Sequence, residues 1–246
     1  MFIILVGSGK GGVGKSTVAS LVATHLTTHY DVGILDCDLS CPSVARLFNI
    51  SDYQFKINKA GKIVPPQTEG IAEGKTLKVF SIGGDIPEKQ FVAWKGSTLS
   101  DIIAEQFSIV AWGDIDVLVV DLPPSTNDSV QTVLDYCSRG TVITVTIPTD
   151  LSLADTLKFV NLVNSKSVNM AGCIVNLCDV FPPLGGNDLV VDGVDKSVDN
   201  PYIANYLDCK VLCQLPMKPE WSLPVAGLQM IKNHDPEISQ IVRSIL

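Results

Sequence analysis

A glycine-rich run near the start of the sequence has the composition of a phosphate-binding loop. Residues 9–16 read GKGGVGKS and fit the pattern G-x-x-x-x-G-K-[ST], between an apolar FIILV run and an amphipathic stretch. In such a Walker A loop, backbone N–H groups turn inward around an anion, and the N-terminus of the following helix adds positive potential. The sequence therefore predicts a nucleotide-phosphate site.

The residues of this loop have different predicted roles. Lys15 is predicted to reach the β- and γ-phosphates, and the Ser16 hydroxyl is predicted to ligate Mg²⁺. Further nucleotide contacts are expected from Gly11, Gly12, Val13, Gly14 and Thr17. The alternative, a flexible strand-to-helix turn without a ligand, is disfavoured by the strand and helix patterns that flank the motif.

Three aspartates that follow apolar runs supply candidate acidic groups. Asp36 and Asp38 lie at the end of the predicted strand 32–36, and Asp121 closes the run VLVV. Open α/β sheets bind ligands at the carboxyl ends of their strands. Asp121 has the arrangement of a Walker B aspartate, which holds Mg²⁺ through water. Without further information, Asp36 and Asp38 could also be turn or helix-cap residues.

Short β-branched runs alternate with amphipathic segments, which is typical of βα units in a parallel sheet. The predicted strands are residues 2–6, 32–36, 78–82, 116–121, 141–147, 171–176 and 210–215. The predicted helices are residues 15–29, 97–108, 127–138, 151–165 and 199–207, with a terminal stretch from Asp235 whose Ile238, Ile241, Val242 and Ile245 share one face. These patterns predict an α/β fold: one doubly wound domain over residues 1–246, with about seven to eight mostly parallel strands and helices on both faces.

Two stretches interrupt this alternation. Residues 53–64 alternate around a turn-like NKAG and are predicted to form a hairpin insertion. Residues 182–198 are rich in Gly, Pro and Asp and are predicted to form a surface excursion.

Composition narrows the class of protein. The 246 residues are 46% hydrophobic, enough for a full core, but apolar runs such as 117–120 are far shorter than the roughly 20 residues that span a bilayer. The formal net charge of −8 disfavours non-specific DNA binding, which requires a basic surface. The FIILV run follows Met1 directly and leaves no room for a charged signal segment, so we expect a cytoplasmic protein. From the short apolar runs and the negative charge, we expect binding to neither membrane nor DNA.

The run KGGVGKST at residues 10–17 resembles the deviant Walker A loop of the Mrp, MinD, ParA and nitrogenase iron-protein class. The resemblance implies a homodimer across the nucleotide face, in which Lys10 reaches the partner subunit's nucleotide and stabilises the phosphoryl-transfer transition state. The alternative for Lys10 is a solvated loop lysine. The resemblance also assigns Asp38 to the attacking water and Asp36 to the hydrogen-bonded shell of Mg²⁺.

Other segments extend this likeness toward Mrp- and Nbp-type proteins. They are residues 112–128, WGDIDVLVVDLPPSTND, and residues 94–96, WKG. Ser125 and Asn127 depart from the pattern, because Mrp proteins usually have glycines there. The resemblance implies that Asn176 hydrogen-bonds adenine and that Pro216 flanks the base. Taken alone, Asn176 is simply a good turn residue.

Seven cysteines, an odd number, are predicted to be free thiols: Cys37, Cys41, Cys137, Cys173, Cys178, Cys209 and Cys213. Mrp-type proteins carry a CPxC pair after the asparagine strand that holds an iron–sulfur cluster between two subunits, whereas Cys178 stands alone here. By spacing, the thiols form the pairs 37/41, 173/178 and 209/213, which could bind a cluster or another metal. Cys37 and Cys41 flank Asp38 and are the candidate metal or redox pair. Cys173 and Cys213 are predicted to be core residues.

The first functional hypothesis is an ATP-binding, Mg²⁺-dependent dimeric ATPase, slow without a partner. It would act in iron–sulfur or other metallocentre assembly on a client metalloprotein or scaffold protein. The alternative is a ParA/MinD-like positioning or partitioning ATPase that acts on a membrane, DNA or protein scaffold. The apolar terminal stretch supports that alternative weakly, because Arg243 is its only basic residue. A reductase like the nitrogenase iron protein requires cluster cysteines that the sequence lacks at matching positions.

Overall fold

Eight strands form one sheet that is parallel except at one edge. The computed structural model describes residues 1–82, 99–181, 200–218, 221 and 236–245. The strands of the sheet are β1 (Phe2–Gly7), β2 (Val32–Asp36), β5 (Gln67–Glu69), β6 (Thr76–Ser81), β7 (Val117–Asp121), β8 (Thr141–Thr146), β9 (Asn169–Asn176) and β10 (Val211–Leu215). Their order is β10-β9-β8-β1-β7-β2-β6-β5, and β5 alone among them runs antiparallel to its neighbour.

Helices cover both faces of this sheet. They are α1 (Lys15–Leu26), α2 (Val44–Leu47), α3 (Leu99–Ile109), α4 (Asp128–Tyr136), α5 (Asp150–Ser165), α6 (Pro201–Leu207) and α7 (Pro236–Ile245). Successive strand residues point to opposite faces. Ile4 and Val6 therefore pack in a cluster with α1 and α7, whereas Leu5 packs in a second cluster with α3, α4 and α5. This burial on both sides explains why the central strands are continuously apolar.

The predicted fold class is confirmed, with small changes at element ends. The helix predicted to reach residue 29 ends at Leu26, because the hydroxyls of Thr27 and Thr28 donate to the carbonyls of Thr24 and His25 and close the last turn. The strand predicted to begin at residue 78 begins at Thr76. The remaining predicted strands and helices within the described ranges agree to within two residues.

The two interruptions have different outcomes. Within residues 53–64, β3 (Lys56–Ile57) and β4 (Ile63–Val64) pair antiparallel, as the hairpin prediction requires. The predicted excursion at 182–198 and the WKG at 94–96 lie outside the described residues. No helix in the described ranges is both long enough and apolar enough to cross a bilayer.

Candidate functional site

The candidate residues lie at the carboxyl ends of three neighbouring strands of the sheet. In the parallel register, Asp121 at the end of β7 lies beside Val6 of β1 and beside Asp36 at the end of β2. The glycine-rich loop follows β1, and α1 begins at Lys15. The predicted phosphate loop and the predicted carboxylates thus meet at the carboxyl ends of adjacent strands.

The last turn of this loop is fitted closely to the end of β9. Gly14 has φ 87°, a left-handed conformation that favours glycine. The Asn176 side-chain amide donates to the Val13 carbonyl at 2.9 Å, and a Cβ on Gly14 would collide with that amide nitrogen. The structure therefore brings Asn176 to the predicted site, where its amide contacts the loop backbone. Its predicted contact with adenine stays a prediction.

A buried ion pair lies at the centre of the site. Lys15 Nζ lies 2.5 Å from Asp121 Oδ1, and these residues are 6% and 0% exposed. The ammonium also lies 3.4 Å from the Ser16 hydroxyl oxygen. Burial raises the pKa of Asp121 above its usual value, although Lys15 and Ser16 both act to lower it.

The second oxygen of Asp121, Oδ2, is buried and makes no hydrogen bond within the described residues. A buried carboxylate oxygen without a donor is costly unless a cation or another ligand satisfies it. Oxygen ligands are what Mg²⁺ prefers, and the Ser16 hydroxyl and the Asp121 carboxylate both lie close to the Lys15 ammonium. Asp121 and Ser16 therefore fit the predicted Mg²⁺ site.

Asp36 is held by its own surroundings. Its Oδ1 accepts from the Asp38 backbone N–H at 3.0 Å, while Oδ2 accepts from the Val44 N–H at 3.1 Å and from the Ser81 hydroxyl at 2.9 Å. Burial, followed by the nearby Asp121 carboxylate, raises the pKa of Asp36 to about 7. These are the contacts expected of a turn or helix-cap residue, which was the alternative for Asp36. A role for Asp36 around Mg²⁺ stays a prediction.

Asp38 lies in a tight turn after β2. Its Oδ1 accepts from the N–H groups of Ser40 and Cys41, each at 3.2 Å. A cavity of about 70 Å³ separates this turn from the loop after β7, and its lining includes Asp38, Pro123 and Pro124. Asp38 thus faces the gap between two loops of the site.

The loop after β7 is tied to the phosphate loop. The Ser125 N–H donates to the Ser8 carbonyl at 3.1 Å, and Ser125 has φ 85°. Asn127 caps α4 by accepting from the Val130 N–H at 3.2 Å. The unusual Ser125 therefore occupies a backbone conformation that favours glycine, which matches the residue usual there in the resembled family.

The remaining predicted residues lie in the phosphate loop, in the first turn of α1 and directly after β10. Lys10 is partly buried, and its side chain makes no hydrogen bond or ion pair in the part of the chain that the structure describes. Gly11 and Gly12 are exposed, and Thr17 is partly buried in the first turn of α1. Pro216 follows Leu215, the β10 residue that lies beside Asn176 in the register.

The predicted thiol pair is divided between core and surface. Cys37 is fully buried, and burial followed by the Asp36 carboxylate raises its pKa well above the usual value, whereas Cys41 is exposed. Cys173 and Cys213 are buried as predicted. In the described residues, no group of three or more His, Cys, Asp or Glu side chains is arranged to hold a metal ion.

Sequence reasoning missed two polar contacts of the site. Ser81 binds Asp36, and its position as a polar residue ending an apolar strand was a usable signal. The bond between Ser125 and Ser8 joins two backbones, so no side-chain pattern could have indicated it.

Comparison with known families identifies the group to which this site belongs. The ParA family model, described as the NUBPL iron-transfer P-loop NTPase, matches residues 1–246. The chain belongs to this NTPase family. The predicted resemblance to Mrp-, MinD- and ParA-type proteins is therefore confirmed.

Similar proteins are named for iron–sulfur cluster carriage or assembly. This NTPase is 36% identical over 195 residues to the iron-sulfur cluster carrier protein of Pyrococcus furiosus, covering 77% of this chain and 66% of that protein. It is also 36% identical over 186 residues to the cytosolic Fe-S cluster assembly factor CFD1 of Kluyveromyces lactis, covering 74% of this chain and 65% of that one. The matched region thus spans just under two thirds of these relatives.

Solved structures share the fold of this NTPase. A nucleotide-binding protein from Archaeoglobus fulgidus in complex with ADP has a TM-score of 0.71 at 26% identity, covering 97% of this chain and 90% of that chain. The septum site-determining protein MinD from Pyrococcus horikoshii, complexed with Mg-ADP, has a TM-score of 0.66 at 16% identity, covering 99% and 94%. At that identity, the MinD likeness shows the fold alone.

Proposed function

We propose that this NTPase is an ATPase that works as a homodimeric switch in the assembly of iron–sulfur clusters or other metallocentres. The observation that carries the nucleotide part is the buried ion pair of Lys15 and Asp121 where β1 and β7 end, with the partly buried Ser16 beside it. The names of the relatives at 36% identity support the assembly part. The proposed cargo is an iron–sulfur cluster delivered to a client metalloprotein or scaffold protein, in the cytoplasm.

The proposed hydrolysis assigns one task to each side chain. Lys15 binds the β- and γ-phosphates with the loop backbone from Gly11 to Thr17, and Ser16 and Asp121 would hold Mg²⁺. That ion would supply positive charge to neutralise the charge that develops on the phosphate oxygens. Two N–H groups fix Oδ1 of Asp38, so its carboxylate is held in one orientation to align the attacking water.

The proposed dimer rests on Lys10. Its side chain makes no ion pair among the described residues, so it is available to a second subunit. A lysine that reaches the partner's nucleotide adds positive charge where charge develops in the transition state. In this proposal ATP closes the dimer and hydrolysis opens it, and turnover is slow without a partner.

Cys41 is the main thiol that we propose binds the iron of the cargo. Thiolates bind iron, and Cys41 is exposed at the surface, where incoming iron can reach its sulfur. The raised pKa of buried Cys37 opposes its ionisation, so it is the weaker member of the proposed pair.

Light scattering with ADP and with ATP tests the switch. We expect Asp38→Ala to accumulate as an ATP-bound dimer, because it binds nucleotide but cannot align water. A mutant that stays monomeric with ATP contradicts the mechanism. Lys15→Ala is the matched control, which should lose nucleotide binding, and Lys10→Ala should bind ATP but not dimerise or hydrolyse it.

Anaerobic reconstitution with iron and sulfide tests the cargo separately. Iron retained by the wild-type dimer and lost in Cys41→Ser supports the assignment. No retained iron, with ATP-dependent dimerisation intact, overturns the cargo and leaves the ATPase standing. The positioning alternative is not favoured, because the MinD likeness shows fold alone while the relatives at 36% identity are iron–sulfur proteins by name.

A further inference from the structure

Strand β9 and the start of β10 approach each other unusually closely. Gly172 has φ 152°, and a Cβ there would collide with the Lys210 carbonyl oxygen. The Cys173 N–H donates to the same carbonyl at 2.7 Å, and Val211 is the register partner of Cys173. The backbone just before β10 is therefore packed directly against Cys173.

This approach brings two thiols together. Cys173 is fully buried in the small cluster beneath α6, and the partly exposed Cys209 packs against that cluster. Cys209 therefore lies against the cluster that contains the Cys173 side chain, so the two thiols are neighbours in the fold, and hydrogen bonding between them is the largest influence on the pKa of each. The Cys209 N–H donates to the Ala204 carbonyl at 3.2 Å, which anchors its backbone to α6. The fold thus places Cys173 beside Cys209, a neighbour that the spacing pairs 173/178 and 209/213 did not indicate.

The two thiols differ in reactivity. The hydrogen bond from Cys173 lowers the pKa of Cys209, because it stabilises the thiolate, although burial and Asp208 act in the opposite direction. The same bond, together with burial, raises the pKa of Cys173. A thiolate is the attacking species in thiol–disulfide exchange, so the partly exposed Cys209 is suited to attack first.

We propose that Cys173 and Cys209 form a reversible intramolecular disulfide that makes this part of the fold a redox-sensitive site. The oxidant is a small-molecule disulfide such as glutathione disulfide. The Cys209 thiolate attacks one of its sulfurs, which forms a mixed disulfide and releases one glutathione thiolate. Cys173 then loses its proton and attacks the Cys209 sulfur, which releases the second glutathione. The two protein thiols lose two electrons and the oxidant gains them.

The crosslink would join β9 to the segment that leads into β10, and both strands end at the candidate site. Cys173 lies three residues before Asn176, whose amide holds the phosphate loop through Val13. Cys209 lies two residues before Val211, the first residue of β10, and β10 ends beside Asn176. The proposal is independent of the proposed function, since it concerns only these thiols and an external disulfide.

Peptide mapping of the full chain tests the proposal. Trypsin cleaves after Lys166, Lys196 and Lys210, so Cys209 is separated from the peptide that carries Cys173 and Cys178. After equilibration with glutathione disulfide and alkylation, we expect peptide 167–196 to be linked to 197–210, and dithiothreitol to reverse the link. Mass spectrometry measures both forms.

Three variants identify the sulfurs. Cys178→Ser is the matched control, because its peptide is the same, and it should keep the crosslink. Cys209→Ser and Cys173→Ala should lose it. If burial makes Cys173→Ala unfold, the pair Cys209→Ser and Cys178→Ser still decides, since the link must depend on Cys209 and not on Cys178. A link through Cys178, or Cys209 that stops at the glutathione mixed disulfide, overturns the proposal.

Discussion

Lys15 and Asp121 form a buried ion pair, with 2.5 Å between the ammonium and one carboxylate oxygen, while the other carboxylate oxygen has no hydrogen-bond donor among the described residues. The two residues are 106 positions apart in sequence and come from neighbouring strand ends. The fold thus stabilises the lysine of the phosphate loop through a carboxylate at the end of β7. The Asp121 carboxylate therefore stabilises the folded protein and is also part of the proposed Mg²⁺ site.

This ion pair predicts that substitutions of Lys15 and Asp121 have non-additive effects on the free energy of unfolding. Lys15→Met leaves the buried Asp121 carboxylate without its cation and should lower the free energy of unfolding by roughly 3 kcal/mol. Asp121→Asn leaves Lys15 unpaired and should also destabilise the fold. The double variant removes both charges, so its loss should be clearly smaller than the sum of the single losses. Urea unfolding without nucleotide measures the cycle, and simple additivity would show that the pair contributes nothing.

Ser125 should be more stable as glycine. A non-glycine residue in the left-handed region costs about 1–2 kcal/mol, and glycine loses about 0.5–1 kcal/mol in backbone entropy, so Ser125→Gly should stabilise by roughly 0.5–1 kcal/mol. Ser125→Ala is the matched control, because it keeps the strained φ of 85° and should bring no such gain. Thermal unfolding compares the two. Equal effects of glycine and alanine would exclude backbone strain as the cause.

The fit between Gly14 and Asn176 is testable by a pair of glycine replacements. Gly12 and Gly14 have φ 80° and 87°, but a Cβ at Gly12 meets open space whereas one at Gly14 meets the Asn176 amide. Gly14→Ala should therefore destabilise by about 1–3 kcal/mol more than Gly12→Ala, the range for overpacking. Adding Asn176→Ala should reduce only the Gly14→Ala loss. Chemical unfolding measures the three single and two double variants, and equal losses at both glycines would refute the collision.

Asp31 should make stability depend on pH. Its Oδ1 accepts from the Thr76 N–H and hydroxyl at 2.9 and 2.7 Å, and the hydroxyl bond is the main reason that its pKa lies below the usual 3.8. A lowered pKa in the folded state means that Asp31 stabilises above pH 3.8 and loses this effect as pH falls through its folded pKa. Asp31→Asn should therefore be less stable than wild type at pH 7 but approach it below pH 3.8.

The control for this prediction is a substitution of Thr76, the main hydrogen-bond partner of Asp31. Thr76→Val removes the hydroxyl donor and keeps the backbone N–H, so the pKa of Asp31 should move back toward its usual value. Carboxyl chemical shifts followed through an acid titration measure that movement. An unchanged titration in Thr76→Val would contradict the role given to the hydroxyl.

The central strands and the phosphate loop could be predicted because their signals are local. Buried parallel strands are apolar on both faces, so the boundaries of β2 came directly from its residue types. The four-residue α2 and the polar three-residue β5 were missed, since each is too short to show periodicity. Their formation depends on contacts such as that of Asp36 with Val44 and on pairing with β6.

Non-local contacts limit the prediction of the site. The sequence indicated Lys15, Asp36 and Asp121 as a group, but not that Lys15 pairs with Asp121 or that Asp36 faces its own turn. The contact between Cys173 and Cys209 was hidden for the same reason, because proximity in sequence suggested other partners. Tertiary packing, rather than spacing along the chain, decides these pairings.

The antiparallel strand β5 has a consequence for behaviour at high concentration. An exposed sheet edge is a template for pairing with another chain, and natural sheets limit this hazard with short, charged edges. Among the described residues, β5 is the outermost strand on this side and has only three residues, Gln67, Thr68 and Glu69, two of which are exposed. A second molecule finds too few backbone groups there to extend the sheet, so strand-by-strand polymerisation is discouraged at this edge.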